Sequence, residues 1–271
     1  MLLSKREKRR RNRGPRQVKR GIYLLPNLFT TANLFSGFFG IIATINQNFE
    51  IAAVAILVSC LFDILDGKVA RFTGSNSRFG VEYDSLADLV SFGVGPALLV
   101  YLWALKPFGR LGWAAAFLFV ACGALRLARF NIQVNTVSKR NFVGLPIPAA
   151  ACMVATTVLL FYSMGDGYSS KHFLLLAMTY LLGFLMVSNI PYYSFKEVDR
   201  FQQMPFRALV LAILLFSVIA ARPAVMLFSL MLVYVGSALA AHARKVYRKR
   251  TRGVEKEVLN QETARHKSES K

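Results

Sequence analysis

Four aspartates stand out in the 271-residue chain by their spacing. Asp63 and Asp66 lie three positions apart, Asp84 and Asp88 lie four apart, and all four fall within 26 positions. On helices each pair shares a face, so two such helices joined by a loop aim four carboxylates at one point. Close anions repel one another unless a cation sits among them, and oxygen-only donors suit a hard divalent ion such as Mg²⁺ or Mn²⁺. The stretch therefore reads as a metal site for one or two ions. The plainer alternative is a set of helix caps and loop charges at a membrane surface. It suits Asp63 and Asp88 poorly, because both lie within apolar sequence where no cap is wanted.

The neighbours of the aspartates add to this chemistry. Gly67 and Ala70 follow Asp66 by one and four positions and leave the helix surface bare. Such a surface admits a flat nucleotide, or equally a closely packed helix. Arg71 offers the planar fork that binds phosphate oxygens in pairs. Arg126 and Arg129 at the inner end of one apolar run, and Lys196 after another, are candidate cations for an anionic acceptor carrying a carboxylate or a phosphate. Snorkelling of these long side chains to the interface is the alternative.

The elements that must position these groups are membrane helices. Apolar residues make up 55% of the chain and aromatics 13%, as in a polytopic membrane protein. Candidate spans fall at about 24–45, 49–65, 86–105, 112–130, 146–164, 172–190, 207–221 and 223–242, most of them near the ~20 residues that cross a bilayer core. The fold class expected is all-α, a bundle of about eight spans with both termini cytoplasmic. The formal charge of +20 is concentrated in the tails, with ten Lys and Arg in 1–23 and ten in 244–271. Tails of this kind face the cytoplasm and attract anionic lipids. They lack the interleaved aromatics of a nucleic-acid binder, so no nucleic-acid partner is expected. With both tails inside, the only basic residues outside are Lys106, Arg110, Lys171 and Arg222. This distribution puts the aspartate stretch on the cytoplasmic side, in an integral protein of the cell (inner) membrane. Cys60, Cys122 and Cys152 stand singly in apolar runs without ligand or redox spacing and read as reduced packing residues.

The pattern Asp63-x₂-Asp66-Gly67-x₂-Ala70-Arg71-x₈-Gly80-x₃-Asp84-x₃-Asp88 resembles, at every position, the signature of the CDP-alcohol phosphatidyltransferases. The resemblance implies an integral membrane enzyme, commonly a homodimer, that moves a phosphatidyl group from CDP-diacylglycerol to an alcohol and releases CMP. Carried over by position, Asp63, Asp66 and Asp84 are metal ligands, and Asp88 is both ligand and general base. Gly67, Arg71 and Ser77 touch the CDP moiety, with Ala70 and Gly80 in the same stretch. Asn27 and Thr30 open the first span on the nucleotide side. The runs Tyr83–Gly93, Arg126–Asn131, Gly144–Pro148 and Ser194–Lys196 resemble the branch whose acceptor is L-serine. The similarity covers about 22–200 and implies a basic arm (1–21), a catalytic membrane domain (22–206), an added hairpin (207–242) and a basic tail (243–271). A sister enzyme that uses glycerol 3-phosphate or another alcohol is the nearer alternative. A carboxylate-based cation transporter is the distant one, disfavoured because the acids cluster at one edge of the bundle rather than at its midplane.

Overall fold

A computed structural model of the chain describes residues 24–73, 77–133, 142–165, 173–192, 210, 222–237 and 239–240. The expected tails and the expected seventh span (207–221, except residue 210) lie outside the described residues. The first helix, α1 (Leu24–Ile45), and the second, α2 (Phe49–Thr73), pack side by side along their lengths. Their sequences explain how. In α1 the buried positions are small or polar (Thr30, Asn33, Ser36, Ala43, Thr44), whereas Leu28, Phe35, Phe38, Phe39 and Ile42 are exposed. This arrangement is the reverse of a water-soluble helix. It suits a lipid environment, where small residues let backbones approach and hydroxyls and amides bond across helices. At Gly40 an added Cβ would already touch the Ala52 carbonyl oxygen and the Ala55 Cβ at 3.4 Å. The two helices join through Asn46–Asn48, a turn in which Gln47 takes φ 60° and Asn48 N–H donates to the Ala43 carbonyl at 2.9 Å.

The third element begins at α3 (Arg78–Asp88) and continues without a break as far as Phe108. After α3 the helix widens over Leu89–Val94, returns to α geometry in α4 (Gly95–Val100), and widens again over Tyr101–Leu105. Each wide segment precedes a proline, Pro96 or Pro107. A proline ring collides with the carbonyl four residues back and leaves it without a donor. A wide turn relieves that conflict by bonding five residues back, as Gly95 N–H does to Val90 and Lys106 N–H does to Tyr101.

Helix α5 (Arg110–Gln133) packs on α7 (Phe173–Val187), and α6 (Ile147–Ser163) packs on α2. Two-residue strands β1 (Phe142–Val143) and β2 (Pro191–Tyr192) pair antiparallel, Phe142 opposite Tyr192, and tie the start of α6 to the end of α7. They are the one departure from an all-helical chain among the described residues. The core runs through α2, the Phe92–Leu105 stretch, α5, α6 and α7, and takes in Val235 of α8 (Pro223–Ser237).

Pro26–Ile45, Phe79–Phe108 and Arg110–Ile132 are long and apolar enough to cross a membrane, and α6, α7 and α8 are shorter apolar helices. The protein is a membrane protein of helical architecture. The stretch 66–85, which lies between the second and third expected spans, is largely helical. Helix α2 runs on to Thr73 and α3 starts at Arg78, so all four aspartates sit on helices.

Candidate metal centre

Helix α2 delivers Asp63 and Asp66 on one face, and α3 delivers Asp84 and Asp88 on one of its own. Carboxylate oxygens of Asp63, Asp84 and Asp88 lie within 4.8 Å of one another. Asp66, 6% exposed, stands next to them with its carboxylate in hydrogen-bonding reach of Asp84. Asp88 is 8% exposed. One oxygen of Asp84, Oδ1, is buried with no hydrogen-bond partner among the described residues. A buried, unpaired carboxylate oxygen is costly, and a divalent cation satisfies it while relieving the repulsion among its neighbours. The donor set is all oxygen, as Mg²⁺ and Mn²⁺ prefer. The residues present fit such an ion.

The other sequence-predicted positions divide into those that face this centre and those that do not. A Cβ added at Gly67 would meet nothing within 4 Å, so the surface beside Asp66 is open to a ligand. Ala70 is half-buried on the same helix. Arg71 lies in α2, but its side chain is outside the described ones, and Lys196 is outside the described residues altogether. Ser77 and Gly80, expected beside a nucleotide, also take part in starting the helix. Ser77 Oγ caps α3 by accepting from Gly80 N–H at 2.9 Å. A Cβ on Gly80 would stand 3.1 Å from that oxygen and 3.4 Å from Asn27 Oδ1. Thr30 is 3% exposed and turned inward, its hydroxyl donating to the Asp66 carboxylate.

The two candidate arginines part company. Arg126 lies within charge range of Asp88, Asp63 and the Tyr234 phenol, and its Nε is buried without a hydrogen-bond partner among the described residues. Arg129 turns to Asn189 beyond α7, donating from Nη2 at 2.8 Å. Of the two, Arg126 is the one that stands beside the carboxylates.

Sequence reasoning passed over four residues at or beside this centre. Asn33 Nδ2 donates to Asp88 Oδ1 at 3.1 Å, and Ser59 and Ser91 in turn bond to Asn33. The available signal was an asparagine inside an apolar span, which by default marks function. Tyr234 carried no signal, being one tyrosine in an apolar helix. The cysteines were expected to stand apart, yet Cys60 and Cys152 meet across α2 and α6 within hydrogen-bonding reach. All three are free thiols, as expected.

Comparison with known proteins gives the arrangement its family. The sequence model of the CDP-alcohol phosphatidyltransferase family matches residues 23–187, a stretch that holds all four aspartates. The chain belongs to the CDP-alcohol phosphatidyltransferase family. It is 44% identical over 204 residues to a CDP-diacylglycerol–serine O-phosphatidyltransferase of Helicobacter pylori, covering 74% of this chain and 84% of that protein. It is 41% identical over 172 residues to an archaetidylserine synthase of Methanothermobacter thermautotrophicus, covering 62% of this chain and 69% of the relative. A CDP-diacylglycerol–serine O-phosphatidyltransferase of Methanocaldococcus jannaschii is 38% identical over 174 residues, 64% of this chain and 75% of its own. Membership in a phosphatidyltransferase family displaces the transporter alternative, and α8, with Tyr234, lies beyond the matched stretch.

Proposed function

We propose that this CDP-alcohol phosphatidyltransferase moves the phosphatidyl group of CDP-diacylglycerol to the hydroxyl of L-serine, giving phosphatidylserine and CMP. The observation that carries the reading is the convergence of Asp63, Asp84 and Asp88 oxygens within 4.8 Å, with Asp66 adjoining. The names of the relatives supply donor and acceptor.

Asp63, Asp66, Asp84 and Asp88 would hold Mg²⁺ or Mn²⁺, which when bound neutralises the pyrophosphate and stabilises the departing phosphate. Asp88 takes the proton of the serine hydroxyl. The serine oxygen forms the new bond to the lipid-side phosphorus, the phosphorus–oxygen bond to CMP breaks, and CMP leaves with the electron pair. A carboxylate beside cations is a weak base, so much of the contribution of Asp88 is to orient the hydroxyl for attack. The bare surface at Gly67 and Ala70 takes the nucleotide and Arg71 its phosphates. Arg126, buried beside Asp88, meets the serine carboxylate.

The catalytic domain is 22–206, between a basic arm and a hairpin at 207–242 with a basic tail. The bundle has eight spans, and charge asymmetry supports both termini and the site on the cytoplasmic side of the inner membrane. The tails lie on anionic lipid, and the enzyme works as a homodimer.

CMP release by purified protein tests the reading. With CDP-diacylglycerol, Mn²⁺ and L-serine, CMP should appear. EDTA should abolish it, and Asp88→Asn should lower kcat by about 10²–10⁴-fold, the usual worth of a positioned general base. Release with glycerol 3-phosphate and not with serine would move the enzyme to a sister activity of the same family.

A further inference from the structure

Helix α1 brings no carboxylate to the centre, yet two of its side chains grip the helices that do. Thr30 and Asn33 are three positions apart and share a face. The Thr30 hydroxyl donates to Asp66 of α2. Asn33 Nδ2 donates to Asp88 Oδ1 of α3 at 3.1 Å. Both residues are buried, Asn33 completely.

The grips are themselves anchored. Ser59 Oγ on α2 reaches the Asn33 amide oxygen and, at 2.9 Å, the Asn33 backbone carbonyl. Ser91 Oγ, in the wide turn after Asp88, reaches the same carbonyl at 3.1 Å. Chemistry fixes the amide orientation, because a flipped Asn33 would set its oxygen against a carboxylate. Thr30 Oγ1 also lies 3.2 Å from the Pro26 carbonyl, but a carboxylate is the stronger acceptor for its single proton. Each bond occupies one carboxylate oxygen and so fixes the direction of the other.

We propose that Thr30 and Asn33 are positioning residues that hold Asp66 and Asp88 in the register a divalent cation needs, so that α1 sets the metal affinity of a centre to which it gives no ligand. The inference rests on the metal reading above. Groups that orient metal ligands from behind are typically worth about 10–100-fold in affinity.

The test is Mn²⁺ binding without substrate, followed by water-proton relaxation on purified wild type, Thr30→Val, Thr30→Ser and Asn33→Leu. Thermal unfolding in metal-free buffer serves as the control for folding. The Mn²⁺ Kd should rise about 10–100-fold in Thr30→Val and Asn33→Leu, and Thr30→Ser, which keeps the hydroxyl, should bind as wild type does. The Mn²⁺ concentration for half-maximal CMP release should shift in parallel, with KM for both substrates unchanged at saturating Mn²⁺. Thr30→Val nearly conserves shape, so it tests the inference alone if Asn33→Leu does not fold. A Kd within about twofold of wild type in folded Thr30→Val, or an equal loss in Thr30→Ser, would overturn the proposal while leaving the metal reading intact. A wild type that binds no Mn²⁺ would overturn both.

Discussion

Gly67 adjoins Asp66 with open space where a side chain would project. A Cβ there meets no atom of the protein within 4 Å, and on the proposed reading that space belongs to the donor. Gly67→Leu should therefore leave the unfolding temperature unchanged and raise the KM for CDP-diacylglycerol roughly tenfold, the lower range of what overpacking a fitted contact costs. Kinetics at varied donor, with thermal unfolding alongside, check it. At this scale the aspartates were legible because helical spacing alone aligns each pair. Ser77 and Gly80 belonged to the same motif, but their observed work is to cap α3 and make room for that cap. A motif fixes residue types without telling a contact to substrate from a contact to backbone. Asn33 was not legible because its partner, Asp88, is 55 positions away, and no helical period links them.

Among elements, the junction of β1 and α6 shows what positions α6 against α7. Gly144 has φ +90°, its N–H donates to the Ile190 carbonyl at 2.9 Å, and an added Cβ would run into the Met186 carbonyl oxygen. Gly144→Ala should cost about 1–3 kcal/mol, the usual size of such backbone strain. It should appear as a lower unfolding temperature with CMP release per folded molecule retained, since its hydrogen bond goes to Ile190, beyond α7, and its close contact to Met186 of α7 rather than to the aspartates. Three long apolar helices were legible from apolar length, and α1 ends at Ile45 as expected. The helix ends around 66–85 were not legible, because charged residues end an apolar run well before they end a helix. The wide turns were hidden for a related reason. Pro96 and Pro107 were visible in the sequence, but periodicity does not say whether a chain answers a proline by kinking, stopping or widening.

For the molecule as a whole, the family match ends at residue 187 while the packed core does not. Val235 of α8 is 7% exposed, and Tyr234 beside it reaches the neighbourhood of Arg126. Truncation after Arg222 should therefore lower the unfolding temperature, since the packing of α8 against the core would be lost. It should also raise the KM for serine, because Arg126 loses a neighbour. Truncation after Ala243 removes only basic tail and should leave kcat within about twofold. Thermal unfolding and CMP release on both truncations separate these outcomes. The membrane class and the basic asymmetry were legible from composition. The contribution of α8 was not, because it depends on a tertiary contact between helices more than 100 positions apart.

The widened turn at Leu89–Val94 bears on how this gene can change by insertion and deletion. A wide turn holds one residue more than a regular one, so loss of one codon in 89–94 would convert the wide turn to a regular one. Asp84 and Asp88 would keep their places relative to α2, and the residues from Gly95 to Leu105 would stay close to their present faces, because the regular turn closes over one residue fewer. Homologous chains that differ by a single-residue gap at this point should therefore share both the aspartates and the faces that pack beyond them.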